Sequence, residues 1–221
     1  MFCNRSISMK MFYIFLCSFF LTSCSQDLIS EFFKLSEAKI DNWSKENPLT
    51  IYAYPFRPEE ELDPESTLGE IAWKGMKDGI LLSDIATKGK IQYKGFASTA
   101  YHKVLKQGTI YGEFEKASGN KREILSKACV EKNTESLMYG LYDGDDMGIR
   151  LSIYMYVKKD NIIIKERDSV NTSLKVAIAL RDNIDNGTPL STNEKELQNS
   201  IYAKSTTMSA RAIRKYVTGS E

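Results

Sequence analysis

The chain has 221 residues, 27% charged and 42% hydrophobic, with 30 Lys and Arg against 29 Asp and Glu and one histidine. That mixture is globular rather than disordered, long enough to bury one core of ordinary size, and too evenly charged to present a field for nucleic acid. A single histidine excludes a zinc site built from several and weakens a Ser-His-Asp reading, so no catalytic, cofactor-binding or metal-binding residues are assigned.

The first element is an apolar run, FYIFLCSFFLTSCSQD over residues 12–27. The uncharged stretch from Met11 to Ser25 covers 15 residues, roughly 22 Å as a helix, short of the roughly 20 residues that a bilayer span requires. Its length, with Arg5 and Lys10 in front, suits an export signal. Met9-Lys10 would also begin a well-formed signal, so translation starts at Met1 or Met9. The ending Leu21-Thr22-Ser23-Cys24 resembles the lipobox of bacterial lipoproteins. That resemblance implies cleavage of a signal peptide 1–23 and lipidation of Cys24 with acyl chains such as palmitate; the alternative is an ordinary cleaved signal or an uncleaved anchor. A thiolate suits the task as a nucleophile. Several acyl chains anchor stably where one is marginal. Ser25 resembles the residue that directs enteric lipoproteins to the outer membrane.

Loss of the leader takes Arg5 and Lys10 and no acid, leaving the mature chain near neutral. Cys3 and Cys17 leave with it, so Cys24 and Cys129 remain and no intrachain disulfide is expected. Residues 24–47 place Leu28, Phe32 and Leu35 on one helical face, with Ile29, Phe33, Ile40 and Trp43 nearby. This spacing predicts a short tether and an amphipathic helix that docks on the domain, lies on the bilayer or meets a partner.

Residues 48–170 read as one α/β domain. LTIYAYPF, 49–56, is a strand by its alternation and β-branched and aromatic content. RPEEELDPES is a charged loop, and TLGEIAWKGMKDGILLSDI a helix opened by a Thr67–Glu70 capping box. Gly75 and Gly79, one turn apart, are expected to let that helix approach the sheet. GKIQYKGFA, 89–97, is a second strand, and STAYHKVLKQ, 98–107, a short helix with His102 on its surface. A glycine-bearing insertion then leads to the helix KREILSKACVEKN, where Cys129 is expected as a buried small apolar residue.

ESLMYGLY, 135–142, is a strand, DGDDMG a turn, and IRLSIYMYVKK, 149–159, a strand with Ile149, Leu151, Ile153, Met155 and Val157 on its buried face. Asp143-Gly144-Asp145-Asp146 lacks the further acids at fixed offsets of a calcium loop and reads as an acidic hairpin turn. NIIIKERDSV follows the turn at Lys159-Asp160-Asn161 as a hairpin partner. Residues 171–221 form a C-terminal extension expected to be helical: SLKVAIALRDNI fits helix or strand, and Ser191 with Glu194 caps a helix to about Ala203 that TMSARAIRKYV continues or restarts. Arg211, Arg214 and Lys215 make a basic end that complements the helix dipole or meets acidic lipid or wall polymer.

TIYAYPFRPEEELDPESTLGEIAWKGMKDGIL resembles the opening of a group of envelope proteins: the TolB amino-terminal domain, FlgO, LpoB and CsgG. STAYHKVLKQ, ILSKACVEKNTESLMYGLY and MGIRLSIYMYVKKDNIII are similar to the following helix, the helix leading into a strand with a Tyr-Gly near its end, and the hairpin of that group. The resemblance covers roughly 49–168. It implies a mixed sheet of about five strands packed with helices, no catalytic residues and an envelope protein as partner, with a homo-oligomer as a further possibility. The insertion at 107–120 departs from the compact members, and no long alternating segment is present for the membrane hairpins of a CsgG-type pore. The expected function is therefore a lipid-anchored, non-enzymatic assembly or regulatory protein. The alternatives are an envelope hydrolase, which would need paired carboxylates, or a small-ligand-binding or adhesin lipoprotein, suggested by the tyrosines of the 149–159 strand.

Overall fold

The computed structural model describes residues 43–58, 67–95, 120–145 and 148–219. Cys24, most of the tether, His102 with the helix at 98–107, and the insertion at 107–120 lie outside the described residues. Within them the fold is mixed α/β. In chain order come β1 (Leu49–Ala53), β2 (Arg57–Pro58), α1 (Thr67–Ala86), β3 (Ile91–Lys94), α2 (Lys121–Glu131), β4 (Ser136–Asp145), β5 (Gly148–Val157), β6 (Ile162–Asn171), α3 (Leu174–Asp185) and α4 (Thr192–Thr218).

The sheet runs β3-β1-β4-β5-β6, with β2 beside β4. β1 pairs in parallel with β3 and β4, whereas β4, β5 and β6 form an antiparallel meander. The described end of the predicted tether helix, residues 43–47, is a turn instead: the Ser44 amide donates to the Asn47 carbonyl at 3.1 Å, and the Asn47 amide to the Ser44 hydroxyl at 3.1 Å. Trp43 is only 8% exposed and belongs to the main core.

Pro55 interrupts the first strand, because it has no amide hydrogen for a ladder. Pairing resumes in β2, where Arg57 and Pro58 lie opposite Leu141 and Tyr142. The break turns Phe56 inward, fully buried, with its ring over Gly140 where any Cβ would clash. The Pro-Phe and Tyr-Gly motifs thus meet in one contact.

One face of the sheet carries Leu49, Ile51, Ala53, Met138, Ile149, Leu151, Ile153, Met155 and Val157. It is covered by α1 through Ile71, Ala72, Met76 and Ile80, and by α4 through Leu197, Ile201, Met208, Ala212 and Ile213. The predicted inward set of β5 is buried as its alternation requires. Gly75 and Gly79 differ from expectation: they face α4, not the sheet. A Cβ at Gly75 would strike the Tyr202 carbonyl, and one at Gly79 would stand 2.5 Å from the Thr206 carbonyl.

The C-terminal helices share this core rather than hanging from it. SLKVAIALRDNI resolves to helix, capped by Ser173. The last helix is continuous over 27 residues and opens on the Ser191–Glu194 capping box, about 40 Å of helix. Its buried hydroxyls are satisfied within the helix: Ser205 donates to Ile201, Thr206 to Tyr202 and Thr207 to Ala203 carbonyls at 2.8, 2.8 and 2.9 Å. Such back-bonding removes the cost of burying a polar group, and so the two helices approach closely.

Candidate interaction surface

The opposite face of the sheet is built differently. Alternation sends Tyr52 from β1, Leu137 and Tyr139 from β4, Tyr154 and Tyr156 from β5 and Ile163 from β6 to this side, and Tyr54 joins them just past β1. α2 covers part of it with Leu125, Ala128 and Cys129. Asn120 starts that helix, its side chain accepting from the Arg122 amide at 3.1 Å.

Aromatic rings organise this face. Tyr139 and Tyr154 stack with centroids 5.1 Å apart and planes at 9°. Tyr52 and Tyr54 meet edge to face at 4.9 Å. Lys132 Nζ lies 5.3 Å from the Tyr52 centroid and Lys165 Nζ 4.9 Å from that of Tyr154, both cation–π distances. Burial pushes the Tyr52 phenol above its ordinary range, and burial together with Tyr154 does the same for Tyr139. These phenols stay protonated through the physiological range and act as neutral hydrogen-bonding groups.

Away from α2 the face opens. Tyr154 and Ser152 are half-buried, and Arg150, Lys165, Arg167 and Ser169 are exposed. Arg150 pairs with Asp143 across the β4–β5 ladder. Tyrosine and arginine are the residue types that anchor protein interfaces, and the excess of cations favours an acidic partner.

The remaining sequence candidates fall as follows. Cys129 is fully buried on the sheet-facing side of α2, and burial raises its thiol to about 12, which makes it a packing residue. The DGDD turn is shorter than expected: β4 continues through Asp145 and β5 resumes at Gly148, because the ladder carries on through Gly144–Ile149 and Asp145–Gly148. Asp143 is engaged by Arg150, and among the described residues no three His, Cys, Asp or Glu gather to hold a metal. The basic end of the last helix is used inside the fold. Lys215 Nζ is 2.8 Å from Glu166 and Lys204 Nζ 2.6 Å from Asp168, with Arg211 4.0 Å from the same Asp168. The tyrosine face of β5 divides, Tyr156 lying beneath α2 and Tyr154 at its margin. Its companions Tyr52, Tyr54 and Tyr139 were not assigned to it from sequence. The i,i+2 repeat of Tyr52 and Tyr54 is the available signal, whereas Lys132 reaches the rings from the C-cap of α2 and Lys165 through its register opposite Tyr154.

No family model and no curated protein matches the chain. Similar solved structures include the LpoB C-terminal domain from Salmonella enterica, 7% identical over 56% of this chain and 83% of that one, with a TM-score of 0.27. TolB from Acinetobacter baumannii is 10% identical over 62% of this chain and 27% of that one, at 0.32. The lipoprotein GNA1162 from Neisseria meningitidis is 14% identical over 63% of this chain and 96% of that one, at 0.31. LpoB and TolB belong to the group that the sequence resembles, and all three are envelope proteins. The likeness concerns the course of the chain and says nothing of activity or partner.

Proposed function

We propose that this chain is a lipid-anchored protein of the cell envelope, not an enzyme, that binds other proteins and so assembles or regulates a flagellar, wall-synthase or secretion machine. The observation that carries the reading is the leader: a short apolar run behind Arg5 and Lys10 that stops at Leu21-Thr22-Ser23-Cys24. Acyl chains on Cys24 hold the mature chain on a membrane, with Ser25 favouring the outer one. The aromatic and basic sheet face, with Tyr154, Arg150, Lys165 and Arg167, is the surface offered to the partner.

Two experiments test this. Cys24→Ala releases the protein from membranes or leaves it at precursor size; a variant that stays membrane-bound at the mature size overturns the lipid anchor. Crosslinking of the tagged full chain in intact envelopes, followed by mass identification, then recovers wall-synthase, flagellar or secretion components. Tyr154→Ala with Arg167→Glu abolishes their recovery while leaving the fold intact. Recovery of the chain only with itself overturns the adaptor role in favour of a self-assembly.

A further inference from the structure

Strand β6 (Ile162–Asn171) closes one end of the sheet among the described residues. It pairs with β5 one residue to one over its whole length, without a bulge or a proline. Two contacts fix which way the backbone groups turn. The Lys158 amide donates to the Glu135 carbonyl at 3.0 Å, and the Tyr156 carbonyl accepts from the Ser136 hydroxyl at 2.7 Å. Even-numbered residues of β5 therefore turn their amides and carbonyls to β4, and odd-numbered ones, from Ile149 to Val157, turn theirs to β6. Their partners in register are Ile162, Ile164, Glu166, Asp168 and Val170. The residues between, Ile163, Lys165, Arg167 and Ser169, turn theirs outward. The Ser169 amide bears this out, for it donates to the Asp168 carboxylate at 2.8 Å in an exposed position. Lys165, Arg167 and Ser169 are themselves exposed.

A straight edge of this kind is a template for one more strand, and its side chains select which strand. The outward residues carry their side chains on the tyrosine face, Lys165 opposite Tyr154 and Arg167 opposite Ser152. The acids of β6 stand on the other face, where Glu166 meets Lys215 at 2.8 Å and Asp168 meets Lys204 at 2.6 Å. An added strand thus finds two cations beside it on one face and neutralised acids on the other. Two copies joined edge to edge would set Lys165 and Arg167 of each against those of the other, and like charges directly opposite destabilise a sheet. We infer that the β6 edge, from Ile163 to Arg167, takes an extended acidic segment of a partner protein as an added strand, with carboxylates at alternate positions beside Lys165 and Arg167. The inference rests on the adaptor reading above and names the chemistry and conformation of its partner.

Fluorescence anisotropy tests it, with the purified full chain in detergent titrated into a labelled synthetic peptide of alternating Glu and Val. Lys165→Ala and Lys165→Pro both remove the charge, but only proline removes the outward amide, and it takes no bond from the β5 ladder. The peptide binds the parent chain, and the alanine variant binds it about threefold more weakly. The proline variant loses about tenfold or more beyond alanine. Where Lys165→Pro does not melt cooperatively, a peptide N-methylated along its bonding edge removes the same bonds from the other side, and it loses binding to the parent chain. Equal binding by the alanine and proline variants overturns the proposal, as does binding that survives N-methylation or a peptide that does not bind the parent chain. Self-association that Lys165→Pro abolishes assigns the edge to a second copy and also overturns it. Binding lost in Tyr154→Ala yet kept in Lys165→Pro overturns the edge and leaves the tyrosine face as the partner's surface. Binding that needs the edge, while crosslinking recovers no envelope protein, supports the edge and counts against the adaptor role.

Discussion

Replacing Gly79 with alanine would drive a methyl group against the Ser209 hydroxyl and the Thr206 carbonyl, the latter 2.5 Å from where the carbon would stand. Backbone cannot yield as a side-chain tip can. The overpacking costs about 1–3 kcal/mol, more than the roughly 1 kcal/mol that alanine gains over glycine in a helix. Gly79→Ala thus lowers the urea midpoint with an unchanged slope, the reverse of its effect in an exposed helix. The sequence shows that two glycines one turn apart permit a close approach. It does not show to what, because the partner stretch Ser205–Ser209 is polar and announces no buried helix. The same limit applies to Phe56 and Gly140: each stands in a legible motif, but their contact follows from the parallel pairing of β2 with β4.

At the scale of elements, helix α1 and the two faces of β5 follow directly from periodicity, as does the start of α4 from its capping box. Glu194 in that box has its carboxyl held below the ordinary 4.5, first by the Ser191 amide and, against some desolvation, by the Asn183 and Ser191 side chains. A depressed carboxyl stabilises the folded state fully above its unfolded value and loses that contribution as pH falls through the folded one. Between pH 5 and pH 2, thermal melts of the parent chain should therefore fall more steeply than those of Glu194→Gln. An equal slope would remove Glu194 from the acid response. Element boundaries were less legible at DGDD, where backbone pairing drew Asp145 into the strand, and at 43–47, where a turn replaced helix.

For the whole molecule, the division into a domain and a C-terminal extension does not describe how the core is shared. Leu180, Leu197, Ile201, Met208, Ala212 and Ile213 lie in the same cluster as Ile51 and Met155. A chain stopped before Thr192 would leave the β5 and β6 side of the sheet open, with Glu166 and Asp168 stripped of Lys215 and Lys204. Its expected state is unfolded and rapidly cleaved, measured by limited proteolysis beside the full chain; a resistant, cooperatively melting fragment would contradict the shared core. The interaction face was legible only in part. Alternation placed the β5 tyrosines, but an aromatic and basic surface assembled from β1, β4, β5, β6 and Lys132 exists only once the strands are in register.

The seat of Trp43 has a mechanical consequence. Any pull arriving from the N-terminal side reaches Trp43 and the Ser44–Asn47 turn before it reaches β1. The indole must leave the core first, so the turn acts as a catch in series with the sheet. Behind it, β1 is held on both sides, by β3 and by β4. Tension along its axis loads both rows of hydrogen bonds in shear, sharing the force among them instead of peeling them one at a time. Removal of the catch by Trp43→Ala leaves that second resistance in place, so a tugged chain would yield in two steps, a small release and then the sheet.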